Sequence, residues 1–137
     1  MIALDTSLFS AVFRRRGSTT ASEPREAAFF RLLVESNEPM FVPGIVLQEL
    51  LSGTRSAAPR RRLEEVLEGF EVRTASVDDH RLAATIRDDC RQSGVAAAAI
   101  DCLVAAQVIR ADAHLFTLDR DFDRIAAVSN LHFLGEP

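Results

Sequence analysis

Short apolar runs alternate along this chain with longer segments of helical spacing, and that alternation restricts the fold more than any other feature. Strands are expected at Ile2–Leu4, Met40–Val42, within "FEVRTA", at His114–Thr117 and at Leu131–Leu134. Helices are expected between them. The first runs from about Ser7 to Arg15, and the next covers Glu23–Glu35 behind a cap at Ser22 and the loop "RGSTTAS". A third carries "GIVLQELLSG" between Pro43 and Gly53, and a fourth opens at Pro59 and runs to about Glu68. Ser76 caps a fifth, whose first turn is acidic and which Gly94 stops. Ala98–Ala111 and Asp121–Ala127 supply the last two. Strands separated by helices need crossover connections, so the pattern implies a three-layer α/β fold: a mostly parallel five-stranded sheet flanked by about seven helices. No repeat or linker divides residues 1–137, so the expectation is one domain.

At 137 residues such a chain can bury a core without staples. Its longest uncharged apolar stretch, Val95 to Ile100, is far too short for a bilayer and ends at Asp101. With no basic leader ahead of an apolar segment, and with Cys90 and Cys102 lacking CxxC spacing, a reducing cytoplasm is the expected location and a membrane role is not expected. Formal net charge is −4, but all 16 basic residues are arginine and none is lysine. Two triplets stand out, Arg14-Arg15-Arg16 and Arg60-Arg61-Arg62. They read either as solvated helix ends or as patches that position phosphate, for which arginine is the better bidentate partner.

Four carboxylates occupy places that carboxylates usually avoid. Asp5 ends the first strand and Asp119 follows the strand "HLFT"; ligands of open parallel sheets bind outside such carboxyl ends. Glu49 extends an apolar helical stripe with Ile45 and Val46, and Asp101 shares a face with Ala97, Ala98, Ala105 and Val108. An acid facing a core needs a partner or a metal, since an isolated buried charge is very costly. Arg55 and Arg110 are not at helical pairing distance from either acid. Two carboxylates about 5 Å apart oppose each other by roughly 3 kcal/mol at an effective dielectric near 20. A converging set of four fits a hard divalent cation with oxygen ligands, Mg²⁺ or Mn²⁺.

In their order, "LDTS", "VLQELLSG", "AIDCLVAAQ" and "LFTLDRDFDRI" resemble the PIN-domain family, and within it the VapC-type toxins of bacterial toxin–antitoxin pairs. The resemblance spans essentially the whole chain. It implies a Mg²⁺- or Mn²⁺-dependent endoribonuclease whose acids are Asp5, Glu49, Asp101 and Asp119, with Asp5, Asp101 and Asp119 as metal ligands and Glu49 orienting water. Thr6 and Thr117 would be the supporting hydroxyls. Asp121 has three readings: a ligand, an acid behind the ligands, or the cap of the last helix. Asp123 reads as a surface residue able to pair with nearby arginines. The resemblance further implies an RNA substrate, a homodimer and a cognate VapB-type antitoxin. One departure lies ahead of Asp101, where "GVAAAAI" replaces the serine or proline that usually caps this helix.

Other chemistries fit less well. Phosphotransfer domains with an aspartate after strand one need a lysine beside it, and this chain has none. "LDTSLFSA" lacks the glycines of a dinucleotide-binding turn. His80, His114 and His132 have no zinc-ligand spacing, and GxSxG is missing. The alternative that remains is a PIN-like module acting through protein contacts, with catalysis incidental. All nine aromatics are phenylalanine and most fall on apolar stripes, so stacking offers little for reading bases.

Overall fold

The computed structural model describes residues 1–14 and 25–135, except for the side chains of Phe13 and Arg14. The expected loop "RGSTTAS", the Ser22 cap, and Arg15 and Arg16 lie outside the described residues, as does the Arg14 side chain. Four strands are present among the described residues: β1 (Ile2–Leu4), β2 (Met40–Pro43), β3 (Glu71–Arg73) and β4 (His114–Phe116). All pair in parallel, in the order β3-β2-β1-β4. Alternate residues of a strand face opposite sides, yet Ile2, Ala3, Leu4, Phe41, Val42 and Leu115 are all buried. Both faces of the inner strands are therefore covered, as parallel sheets require.

The expected fifth strand is reduced to a bridge. Leu115 pairs with Phe133 alone, through bonds from the Leu115 N–H to the His132 carbonyl (2.9 Å) and from the Leu134 N–H to the Leu115 carbonyl (2.9 Å). The sheet proper has four strands, not five.

Seven helices lie within the described residues: α1 (Thr6–Arg14), α2 (Arg25–Glu35), α3 (Gly44–Ser52), α4 (Ala57–Leu67), α5 (Val77–Gln92), α6 (Ala99–Arg110) and α7 (Phe122–Ala126). Helix α4 starts two residues before Pro59, which sits in the first turn, where a missing N–H removes no helical bond. Ser76 caps α5 as expected, in a reciprocal box with Asp79. Gly94, at φ +76°, takes the left-handed position after α5. The Gly94 N–H bonds to the Arg91 carbonyl (3.0 Å) and that of Val95 to Cys90 (2.8 Å), closing a Schellman motif.

Two clusters orient the helices that carry acids. Edge-on phenylalanine contacts join Phe9 of α1 to Phe30 (5.9 Å between centroids) and to Phe70 (5.7 Å), tying α1 to α2 and to the approach to β3. Helices α5 and α6 are clamped by Arg110, whose Nη1 lies 3.0 Å from Asp79 Oδ1 and 3.2 Å from Ser76 Oγ. Among the described residues, no helix is long and apolar enough to cross a membrane.

Candidate active site

Strand β1 has β2 on one side and β4 on the other, so the chain reverses its order of strand addition at β1. The crevice at such a switch point, beyond the carboxyl ends of the strands, is where an open α/β sheet exposes backbone and helix ends to a ligand. Asp5 and Asp119 flank it. The Asp5 N–H continues the ladder by bonding to the Phe116 carbonyl (3.2 Å), and the Asp5 carbonyl accepts from Leu8 N–H (3.3 Å) in the first turn of α1.

Asp5 is only 6% exposed. Its Oδ2 accepts from Thr117 Oγ1 (2.7 Å), from Ser7 Oγ (2.8 Å) and, at 3.4 Å, from the Ser7 N–H. Both hydroxyls are themselves held by backbone: Leu118 N–H donates to Ser7 Oγ (2.9 Å) and Asp119 N–H to Thr117 Oγ1 (3.0 Å). A hydroxyl has one proton to give. Receiving N–H bonds from the segment after β4, the two hydroxyls turn their protons toward Asp5 Oδ2 or toward each other (3.2 Å). These three bonds occupy one oxygen of Asp5, while Oδ1 makes no hydrogen bond among the described residues. Ser7 belongs to this arrangement beside the expected hydroxyls Thr6 and Thr117, and its sequence signal is its place after Thr6 behind the first acid.

Glu49 is half-buried on α3, between the core residues Val46 and Leu50, and its Oε1 accepts from Thr6 Oγ1 (3.2 Å). Thr6 therefore supports Glu49, and Thr117 supports Asp5. Asp119 accepts the Asp121 N–H on Oδ1 (2.9 Å), a local turn that tightens the entry to α7. Asp121 occupies the cap position of α7 but makes no side-chain cap bond. Instead, oxygens of Asp101, Asp119 and Asp121 lie within 4.8 Å of one another. Trans ligands of an octahedral Mg²⁺ are about 4 Å apart, so small side-chain movements bring these oxygens around one ion. Asp5 and Glu49 flank this trio.

Asp101 reports the electrostatics of the pocket. It is half-buried in the first turn of α6, where the helix dipole favours a negative charge. Its carboxyl is nevertheless pushed up to about 6, first by burial and then by Asp119, Asp5, Glu49 and Asp121. Burial and four like charges outweigh the dipole. The helix begins at Ala99 behind Ala98, with no side-chain cap bond, so the alanine run does not extend α6 toward Val95.

No ion pair among the described residues involves any of these five acids. Several arginines are engaged elsewhere, with Arg110 on Asp78 and Asp79, Arg73 on Glu71, Arg91 on Asp88, Arg60 on Glu64 and Arg120 on Asp123 (3.5 Å). The pairing of Asp123 matches its surface reading. Of the second triplet, Arg60, Arg61 and Arg62 are all exposed, and only Arg62 lines a cavity that also reaches Glu49. The donor set, all oxygen and without an ion pair among the described residues, fits a hard divalent ion.

A family model described as PIN domain matches residues 2–128. The chain is 35% identical over 133 residues to Ribonuclease VapC11 of Mycobacterium tuberculosis, covering 96% of each chain. It matches VapC ribonuclease Mb1587 of Mycobacterium bovis to the same extent. Among solved structures it is similar in fold to VapBC-1 from nontypeable Haemophilus influenzae (TM-score 0.77, 19% identity, 98% of this chain and 97% of that one). It is also similar to FitAcB from Neisseria gonorrhoeae (TM-score 0.75, 20% identity, 99% and 98%).

Proposed function

The chain belongs to the PIN-domain family, and on that premise we propose that it is a Mg²⁺- or Mn²⁺-dependent endoribonuclease, the toxin of a VapBC-type pair. The observation that carries the metal dependence is the convergence of Asp101, Asp119 and Asp121, without an ion pair among the described residues, while burial and then the charges of Asp119, Asp5, Glu49 and Asp121 push Asp101 up to about 6. Whole-length similarity to two ribonucleases supports the substrate class.

A divalent ion bound here would lower the pKa of an attacking water and offset charge on the phosphate. Asp101 and Asp119 are assigned to hold it, with Asp121 in reach and Asp5 offering its unbonded Oδ1 from the rigid end of β1. Glu49, fixed by Thr6, is assigned to orient the water and take up its proton. Ser7 and Thr117 keep Asp5 aimed. The protein would act as one unit over residues 1–137, as a cytoplasmic homodimer restrained by a VapB-type antitoxin.

The test is hydrolysis of RNA by purified protein. Cleavage in Mg²⁺ or Mn²⁺ that stops in EDTA, and is missing from Asp101→Asn, supports the proposal. Undiminished cleavage under chelation contradicts it.

A further inference from the structure

A strand of RNA must approach an acidic cluster on a chain of net charge −4, so a cation is needed close to the acids without neutralising them. A cavity of about 440 Å³ between α1, α3 and α4 has that arrangement. Thr6 and Glu49, joined by their 3.2 Å hydrogen bond, form part of its wall and connect it to the acidic site. Its apolar lining includes Phe9, Leu50 and Leu63, all buried, and Arg62 is its only cation among the described residues. Arg62 is exposed and makes no hydrogen bond or ion pair among the described residues, whereas Arg60, two residues earlier on the opposite side of α4, is 3.8 Å from Glu64. Arg120, close in sequence to Asp119, is committed to Asp123. The volume falls within the range of small-ligand sites, roughly 300–1,000 Å³.

We propose that this groove is the substrate track: it takes the nucleotide next to the scissile phosphate of a single RNA strand, with a flanking phosphate on Arg62 and the base over the apolar lining. This rests on the ribonuclease reading and adds to it a positioning residue and a path for the strand. Arginine suits phosphate because its planar fork donates two parallel hydrogen bonds. With Phe9 buried, the lining contacts a base without offering an open stacking face, so the track tolerates different bases.

The experiment titrates a fluorescein-labelled single-stranded RNA into full-length Asp101→Asn protein, which leaves the strand intact, over a series of KCl concentrations. Arg62→Ala is expected to weaken binding about tenfold and to lower the slope of log K against log salt by about 0.7, one phosphate contact on a single strand. Arg62→Lys should recover the slope, and Arg81→Ala on α5 should change neither quantity. An unchanged slope in Arg62→Ala overturns the proposal. So does equal, Arg62-dependent binding of a polyglutamate peptide, which would make the groove a surface for an acidic protein. Cleavage by the native sequence is scored separately: cleavage with an unchanged slope rejects the track and keeps the nuclease, whereas Arg62-dependent binding without cleavage does the reverse.

Discussion

Thr117 and Asp5, 112 positions apart, share a 2.7 Å hydrogen bond that ties the end of β4 to the end of β1 across the switch point of the sheet. Ser7 donates to the same oxygen from α1 at 2.8 Å. Partners that orient a ligand are typically worth 10–100-fold in metal affinity or activity. Thr117→Val should therefore lower kcat/KM by about that factor with a loss of only about 1–2 kcal/mol in stability, read by single-turnover cleavage and thermal melting. Ser7→Ala should act alike, and the double variant should fall short of the sum, because the two hydroxyls share one acceptor. Strict additivity would show that they do not act through Asp5.

Asp101 makes the metal-free fold sensitive to pH. Its carboxyl is raised from 3.8 to about 6, so the folded chain holds this proton more tightly than the unfolded chain. That contribution is fully present below about pH 4 and is lost as pH rises through about 6. In EDTA, native protein should lose melting temperature relative to Asp101→Asn between pH 4 and 7, and the two curves should differ most at the upper end. Parallel curves across that window would mean that the acids do not crowd Asp101.

The same proton competes with metal. Saturating Mg²⁺ should raise the melting temperature at pH 7.5, by about 2.7 kcal/mol of added stability at a hundredfold excess over Kd. The gain should shrink below pH 6 and largely vanish in Asp101→Asn and Asp119→Asn. Equal stabilisation of native and variant proteins would assign the ion to another place.

Asp79 behaves in the opposite sense. Burial pushes its carboxyl up, but hydrogen bonds from Ser76 and Arg110 outweigh burial and hold it below its usual value. Its stabilisation is present above about pH 4 and is lost as pH falls through that lowered value. Asp79→Ala should cost about 2–4 kcal/mol, from the lost cap and from leaving Arg110 without this partner, and should flatten the acid limb of stability. Mg²⁺ stabilisation per unit of folded protein should be unchanged. Denaturant melts at pH 3–7, with and without Mg²⁺, check both points.

The elements were legible where periodicity and caps agreed. Ser76 and Gly94 bound α5 as expected because a capping box and a positive φ are written in residue type. The four acids stood out because strand ends and apolar helix faces are costly places for charge. Less was legible where one residue alone decides. Leu131–Leu134 has the composition of a strand, but only Leu115 pairs with it. The Asp79–Arg110 contact joins residues 31 positions apart, beyond any helical spacing rule. Asp121 has three readings in sequence, and the cap is the one its geometry removes: the side chain makes no cap bond, and its oxygen joins those of Asp101 and Asp119.

Anomalous scattering from crystals of the full chain soaked in Mn²⁺ tests the central claim most directly. The account expects a peak at bonding distance from oxygens of Asp101 and Asp119, beside Oδ1 of Asp5, and no such peak in Asp101→Asn. Acids turned away onto arginines, with no peak between them at saturating Mn²⁺, would contradict it.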